Sequence, residues 1–312
     1  MRPLIEQRRA GILTYGITPP KLGYSAEKRA EVAARQRDRI GALPVDALVV
    51  YDIQDESVRT PDERPFPFLP TVDPVTYAYE DLGDLHLPKV VYRSVAPHDP
   101  KTLAESLRRI EAEHGLCVLV GSPSSRQPSA LSLTEAYALH QREFPALPLG
   151  GVLIAERHQG RHDEDRRVLR KLDRGCSFFI TQAVYSAVAS KNVLSDLYYR
   201  SQELERPLPP ILITLSPCGS EKTLDFMRWL GIAIPRWLEN ELRHARDILQ
   251  TSVDLCCEIL ADLSAFAKAK QIPLGCNIES VSLRKAEIEA SVELVHRARA
   301  LLGGALTGTP GP

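Results

Sequence analysis

Short, nearly continuous apolar runs alternate along this chain with longer segments whose apolar residues recur every three or four positions. The runs at 11–17, 47–52, 89–93, 116–121, 150–155, 177–182, 210–215 and 274–278 are rich in Val, Ile and Leu, as strands buried on both faces require. Between them, 26–40, 74–82, 101–114, 131–143, 164–174, 188–205, 221–230 and 283–302 carry the helical period. Ser25, Asp99 (followed by Pro100) and Asp163 stand before such segments as N-caps. An additional long helix is predicted over 240–270, before the last strand, with Leu242, Ala245, Ile248, Leu249, Leu255, Ile259, Leu260 and Leu263 on its core face. Eight strand–helix units in a chain of 312 residues predict an α/β protein, a (β/α)8 TIM barrel with that extra helix. The barrel is expected to occupy 1–302 as a single domain, followed by a disordered tail at 303–312. An open doubly wound sheet is the alternative. It ordinarily carries a Gly-rich turn after its first strand, and Ile17-Thr18-Pro19-Pro20 has none. The long connection at 54–73 holds four prolines and reads as a surface excursion or a lid.

Composition narrows the partners. Lys plus Arg number 39 against 40 Asp plus Glu, so no global basic field exists to grip nucleic acid or an anionic membrane. No apolar run approaches the roughly 18 residues of a spanning helix, and the N-terminus lacks the apolar core of a signal peptide. A soluble cytoplasmic protein is the expectation, and assembly into a homo-oligomer is compatible with it. The six cysteines are scattered, without a Cys-x-x-Cys, and read as small buried hydrophobes. His158 and His162 are four apart but have Gly160 between them and no third ligand nearby, so no metal is expected.

In a barrel the chemistry sits at the carboxyl ends of the strands. Those positions offer Glu56 after strand two, Ser122 after strand four, Glu156 and His158 after strand five, Gln182 at the end of strand six and Glu279 at the end of strand eight. A carboxamide such as Gln182 both donates and accepts, so it can read a ring edge carrying both group types, a pterin or pyrimidinone. It can equally be a strand-end residue bonded to a loop. Glu156 and His158 read as an acid/base pair or as a loop-stabilising ion pair. Lys171 falls on the helix before strand six, where surface solvation is the ordinary fate. Serine-hydrolase, zincin and P-loop motifs do not occur.

Several of these segments together resemble the methylenetetrahydrofolate reductase family. Thr14-Tyr15-Gly16-Ile17-Thr18-Pro19-Pro20-Lys21 is similar to its first strand, and Ala155-Glu156-Arg157-His158 to its Pro-Glu-x-His after strand five. Leu169-Arg170-Lys171-Leu172-Asp173-Arg174-Gly175-Cys176 leading into Ile180-Thr181-Gln182 resembles its Lys-x-x-Ala-Gly-Ala and Ile-Thr-Gln. Ser220-Glu221-Lys222-Thr223-Leu224-Asp225-Phe226 and Gly231-Ile232-Ala233-Ile234-Pro235 resemble its seventh unit. The resemblance implies a (β/α)8 barrel that reduces 5,10-methylenetetrahydrofolate to 5-methyltetrahydrofolate with NAD(P)H. It implies a folate contact for Gln182 and a position near flavin phosphates for Lys171, with His158, in its own segment after strand five, as a second cofactor-binding candidate. The family's catalytic glutamate, however, falls at Gly16, its flavin-side aspartate at Ser122, its tyrosine before Pro-Glu at Ile154, and a small residue at Arg174. Those four changes weigh against FAD and leave NAD(P)H as the direct hydride donor. The catalytic acid then has to be sought among Glu156, Glu56 and Glu279, with Gln182, Ser122 and Glu279 facing the folate. Folate-dependent methyl transfer, or a non-catalytic folate-binding regulator, is the alternative.

Overall fold

The computed structural model describes residues 1–57, 60–122 and 129–303. Eight strands form a closed, wholly parallel barrel in sequence order: β1 (Leu13–Ile17), β2 (Ala47–Val50), β3 (Lys89–Ser94), β4 (Leu116–Val120), β5 (Leu149–Leu153), β6 (Cys176–Ala183), β7 (Ile211–Leu215) and β8 (Leu274–Glu279). β8 closes the ring on β1, pairing Leu13 with Cys276 and Gly16 with Glu279. The predicted (β/α)8 architecture is therefore the one observed, and the open sheet is excluded. The expected tail beyond Gly303 lies outside the described residues.

The strands are buried on both faces because two apolar shells meet at the sheet. Ile12, Val49, Val90, Tyr92, Val118, Phe178, Ile180 and Leu212 fill the barrel interior. A larger shell joins the outward residues of the strands to the helices. Each large side chain so buried contributes roughly 1.5–3 kcal/mol. A short helix, α1 (Arg2–Glu6), stoppers the amino end, its Ile5 packing with Met1 and Leu4 against the interior cluster.

The helices are α2 (Ala26–Gly41), α3 (Pro74–Thr76), α4 (Pro100–Ala112), α5 (Leu133–Glu143), α6 (Ala155–Arg161), α7 (Glu164–Asp173), α8 (Ala187–Glu203), α9 (Glu221–Trp229), α10 (Arg236–His244), α11 (Ile248–Ala269) and α12 (Lys285–Leu301). Ser25 and Asp99 cap α2 and α4 through their side chains, as expected. Asp163 occupies the cap position of α7 but makes no side-chain capping bond.

Three expectations need correction. The single helix over 240–270 is two, α10 and α11, because Ala245 is extended and Asp247 starts a new N-terminus by accepting from the Gln250 amide at 3.0 Å. The apolar period runs through this break, so the pattern could not show it. The predicted helix over 74–82 is α3 running into a π-helical turn, Tyr77–Asp81, held by Arg29 on the Asp81 carboxylate and Arg37 on its carbonyl. Glu156 and His158, open to reading as a loop-stabilising pair, lie not in a loop but in α6.

The long connection after β2 has a definite course. Residues 62–68 reach α9: Trp229 donates to the Asp62 carbonyl at 3.0 Å, and Phe66 meets Phe226 edge-on at 5.2 Å. The Arg64 guanidinium lies 5.2–5.3 Å from the rings of Phe68, Phe226 and Trp229. The chain then returns to the connection after β1, where Leu22 donates to the Pro70 carbonyl and Val72 to that of Pro20, both at 2.9 Å. α9 follows β7 and Pro20 follows β1, so these contacts lie on segments that flank β8 in the ring.

Candidate functional site

Side chains on alternate positions of a strand share one face. The inward set of Thr14 and Gly16, Val49 and Tyr51, Asn277 and Glu279 therefore converges where β2, β1 and β8 lie side by side. Thr14 Oγ1 donates to Asn277 Oδ1 at 2.8 Å. That bond fixes the amide, whose Nδ2 donates to the Tyr51 hydroxyl at 2.8 Å and to Thr214 Oγ1 at 3.2 Å. With its oxygen already accepting, Tyr51 keeps its own proton free on the side where it and Glu279 lie together over Gly16. A Cβ at Gly16 would lie 2.7 Å from a Tyr51 ring carbon and 3.2 Å from Glu279 Cβ. Only glycine there admits the two side chains over β1.

Glu279 is half-buried at the mouth. Desolvation raises its carboxyl from 4.5 to about 7, the Tyr51 hydrogen bond pulling the other way. Burial also holds the Tyr51 phenol in its neutral form. The Tyr92 ring meets Tyr51 edge-on at 4.8 Å and walls the site toward β3.

Across the mouth, the pairing of β6 with β7 slips one residue between Ile180 and Ala183. Such a bulge re-aims side chains. Here Thr181 accepts from the Thr214 amide at 2.9 Å, and Gln182 Nε2 donates to the Leu230 carbonyl at 2.9 Å. Glu156, in the first turn of α6, accepts from the Ala233 amide at 3.4 Å. Burial raises its carboxyl above the ordinary value. Gln182 and Glu156 are thus brought together under one segment, 230–233, at the carboxyl end of the barrel.

The other candidates are dispersed. Ser122 is half-buried at the end of β4, opposite β8, beside the Gly121 carbonyl that accepts from Gln54 at 3.3 Å. Glu56 is half-buried in the connection after β2, near Arg64. Lys171 lies outside the sheet between α7 and β5, where its ammonium donates to the Val152 carbonyl and burial lowers its pKa. His158 is buried in the helical layer, Nε2 3.0 Å from Asp196, with Asp165 bridging toward Arg200. Neither is at the mouth beside Glu279. Tyr51, Asn277 and Thr14 escaped notice in the sequence. The period-two alternation from Val49 to Tyr51 is the signal that finds the tyrosine.

Among the described residues no group of three metal-ligating side chains converges, and no helix is long and apolar enough to cross a membrane. All six cysteines are buried and unpaired.

The fold and this mouth define a (β/α)8 protein with a half-buried acid and a carboxamide at the carboxyl face. No protein-family profile matches the chain, and no curated protein does. Among solved structures, an uncharacterized protein from Clostridium thermocellum that binds two copies of 5-methyl-5,6,7,8-tetrahydrofolic acid is 44% identical. The alignment covers 94% of this chain and 97% of that one, with a TM-score of 0.84. The chain belongs to the same family as that Clostridium thermocellum protein. A dihydropteroate synthase from Xanthomonas albilineans aligns over 96% of this chain and 95% of its own at 13% identity and a TM-score of 0.47, a likeness that carries no argument.

Proposed function

We propose that the barrel binds a reduced folate of the 5-methyltetrahydrofolate class at its carboxyl-end mouth. The carrying observation is the full-length 44% identity to a protein that binds that molecule. The mouth suits the ligand: a pterin edge needs paired donors and acceptors, and Gln182 offers both on one planar group. Its bond to Leu230 orients the carboxamide before a ligand arrives. Replacing Gln182 with Ala leaves a polar ring edge unpaired at a cost of about 1–3 kcal/mol, roughly a 5- to 150-fold weaker Kd. Calorimetric titration with 5-methyltetrahydrofolate checks it. Equal affinity of the variant and the parent removes Gln182 from the site.

The half-buried acid favours a chemical role for the same site. In that reading 5,10-methylenetetrahydrofolate is reduced by NAD(P)H. A proton passes to the N10 amine, the bond from the bridging carbon to N10 breaks with its electrons going to nitrogen, and a hydride from the nicotinamide completes the 5-methyl group. The products are 5-methyltetrahydrofolate and NAD(P)+. The residues do not suit a flavin relay. Gly16, Ser122, Ile154 and Arg174 stand where the resembled reductases contact it, and the Lys171 ammonium is tied to a backbone carbonyl. NAD(P)H oxidation dependent on methylenetetrahydrofolate, without added FAD, is the expected result. Folate binding with no such turnover would assign the protein to methyl transfer or to a non-catalytic folate sensor instead.

A further inference from the structure

We propose that Glu279 is the group that exchanges a proton with the bound folate, and that Tyr51, oriented by Asn277 and Thr14, is its positioning residue. The proposal rests on the folate reading and deepens it. Three strands contribute, and each contact is directional. Thr14 fixes the Asn277 amide, Asn277 fills the Tyr51 oxygen, and Tyr51 is left to donate to Glu279. The bare backbone of Gly16, in register with Glu279, makes room for the last contact.

What surrounds Glu279 decides its behaviour. The titratable groups facing it are the phenols of Tyr51, the residue after β2, and of Tyr92 on β3. Among the described residues no cation pairs with it. A carboxyl in such surroundings keeps its proton to near neutral pH, and partial exposure at the mouth gives a ligand access to that proton. Glu156 differs: on the far side of the mouth its carboxylate already accepts from the Ala233 amide, and Arg157 lies beside it. A tyrosine that donates to the ionised carboxylate lowers its pKa, so Tyr51 sets the pH at which Glu279 gives up its proton.

The test is calorimetric titration of the full chain with 5-methyltetrahydrofolate between pH 5.5 and 8.5, each pH in two buffers of different ionisation enthalpy. This reads protons taken up on binding. Infrared difference titration of the ligand-free protein reads the carboxyl directly. The parent should show proton uptake centred near neutral pH. Glu279→Gln, whose amide has no proton to exchange in this range, should lose the uptake and, in the ligand-free protein, the infrared transition. Tyr51→Phe should move both midpoints up by about half a unit or more. A purely structural tyrosine would leave the midpoints where they are. Binding with the same uptake in Glu279→Gln overturns the assignment alone, and unmoved midpoints in Tyr51→Phe overturn the positioning role. No binding by the parent at any pH overturns the folate reading and this assignment with it.

Discussion

Replacing Phe178 with Ala should destabilise the barrel by about 3–5 kcal/mol, enough to remove a large part of an ordinary domain's stability. The ring is fully buried in the barrel interior among Val118, Ile180 and Leu212. It packs against bare backbone on β5, since a Cβ at Gly150 would lie 2.5 Å from Phe178 Cζ. No side chain at Gly150 can move into the vacated volume, so the cavity persists and its cost adds to the lost transfer energy. β6 also carries Gln182 four residues on, so the same change should loosen the mouth. Chemical denaturation monitored by circular dichroism measures the loss, with Phe178→Leu expected to recover most of it. A loss below about 1 kcal/mol for the alanine variant would show that the interior is not packed around this ring.

The second large effect has the opposite sign. Glu279→Gln should stabilise the protein above neutral pH. A carboxyl raised in the folded state to about 7 from 4.5 pays for ionisation on folding. Below about pH 4.5 it is protonated folded and unfolded, and parent and variant are equally stable. Between there and about 7 the unfolded chain ionises first, so the parent loses stability as pH rises. Above 7 the penalty is complete. Solvent at the mouth screens it, leaving about 1–2 kcal/mol. Thermal melts at pH 4.5 and 8 should therefore coincide at the lower pH and separate at the higher, the variant melting later. Parallel curves at both would mean that Glu279 ionises as freely as an exposed glutamate. Destabilisation held at a functional residue is what a site that needs a proton near neutral pH requires.

The strands were legible because burial on both faces leaves continuous apolar runs, and the eight predicted runs overlap the eight strands. Helix ends were less legible: the apolar period crosses Ala245–Asp247 without a break, while one side-chain cap divides α10 from α11. The site was legible in part. Gln182 and Glu279 stand out as polar ends of apolar runs. Tyr51 does not, because an aromatic residue after Val49-Val50 reads as more core, and its role comes from partners on strands 226 residues away in sequence. Lys171 and His158 show the reverse. A segment can suggest chemistry while the fold turns its side chains outward, into the helical layer.

The most direct test of the whole account is the crystal structure of this protein with 5-methyltetrahydrofolate. A pterin ring is expected in the carboxyl-end mouth, within hydrogen-bond reach of Gln182 on one side and Glu279 on the other. Folate bound only elsewhere, for instance in the groove at the amino end between Arg8 and Arg206, with the mouth vacant, would contradict it.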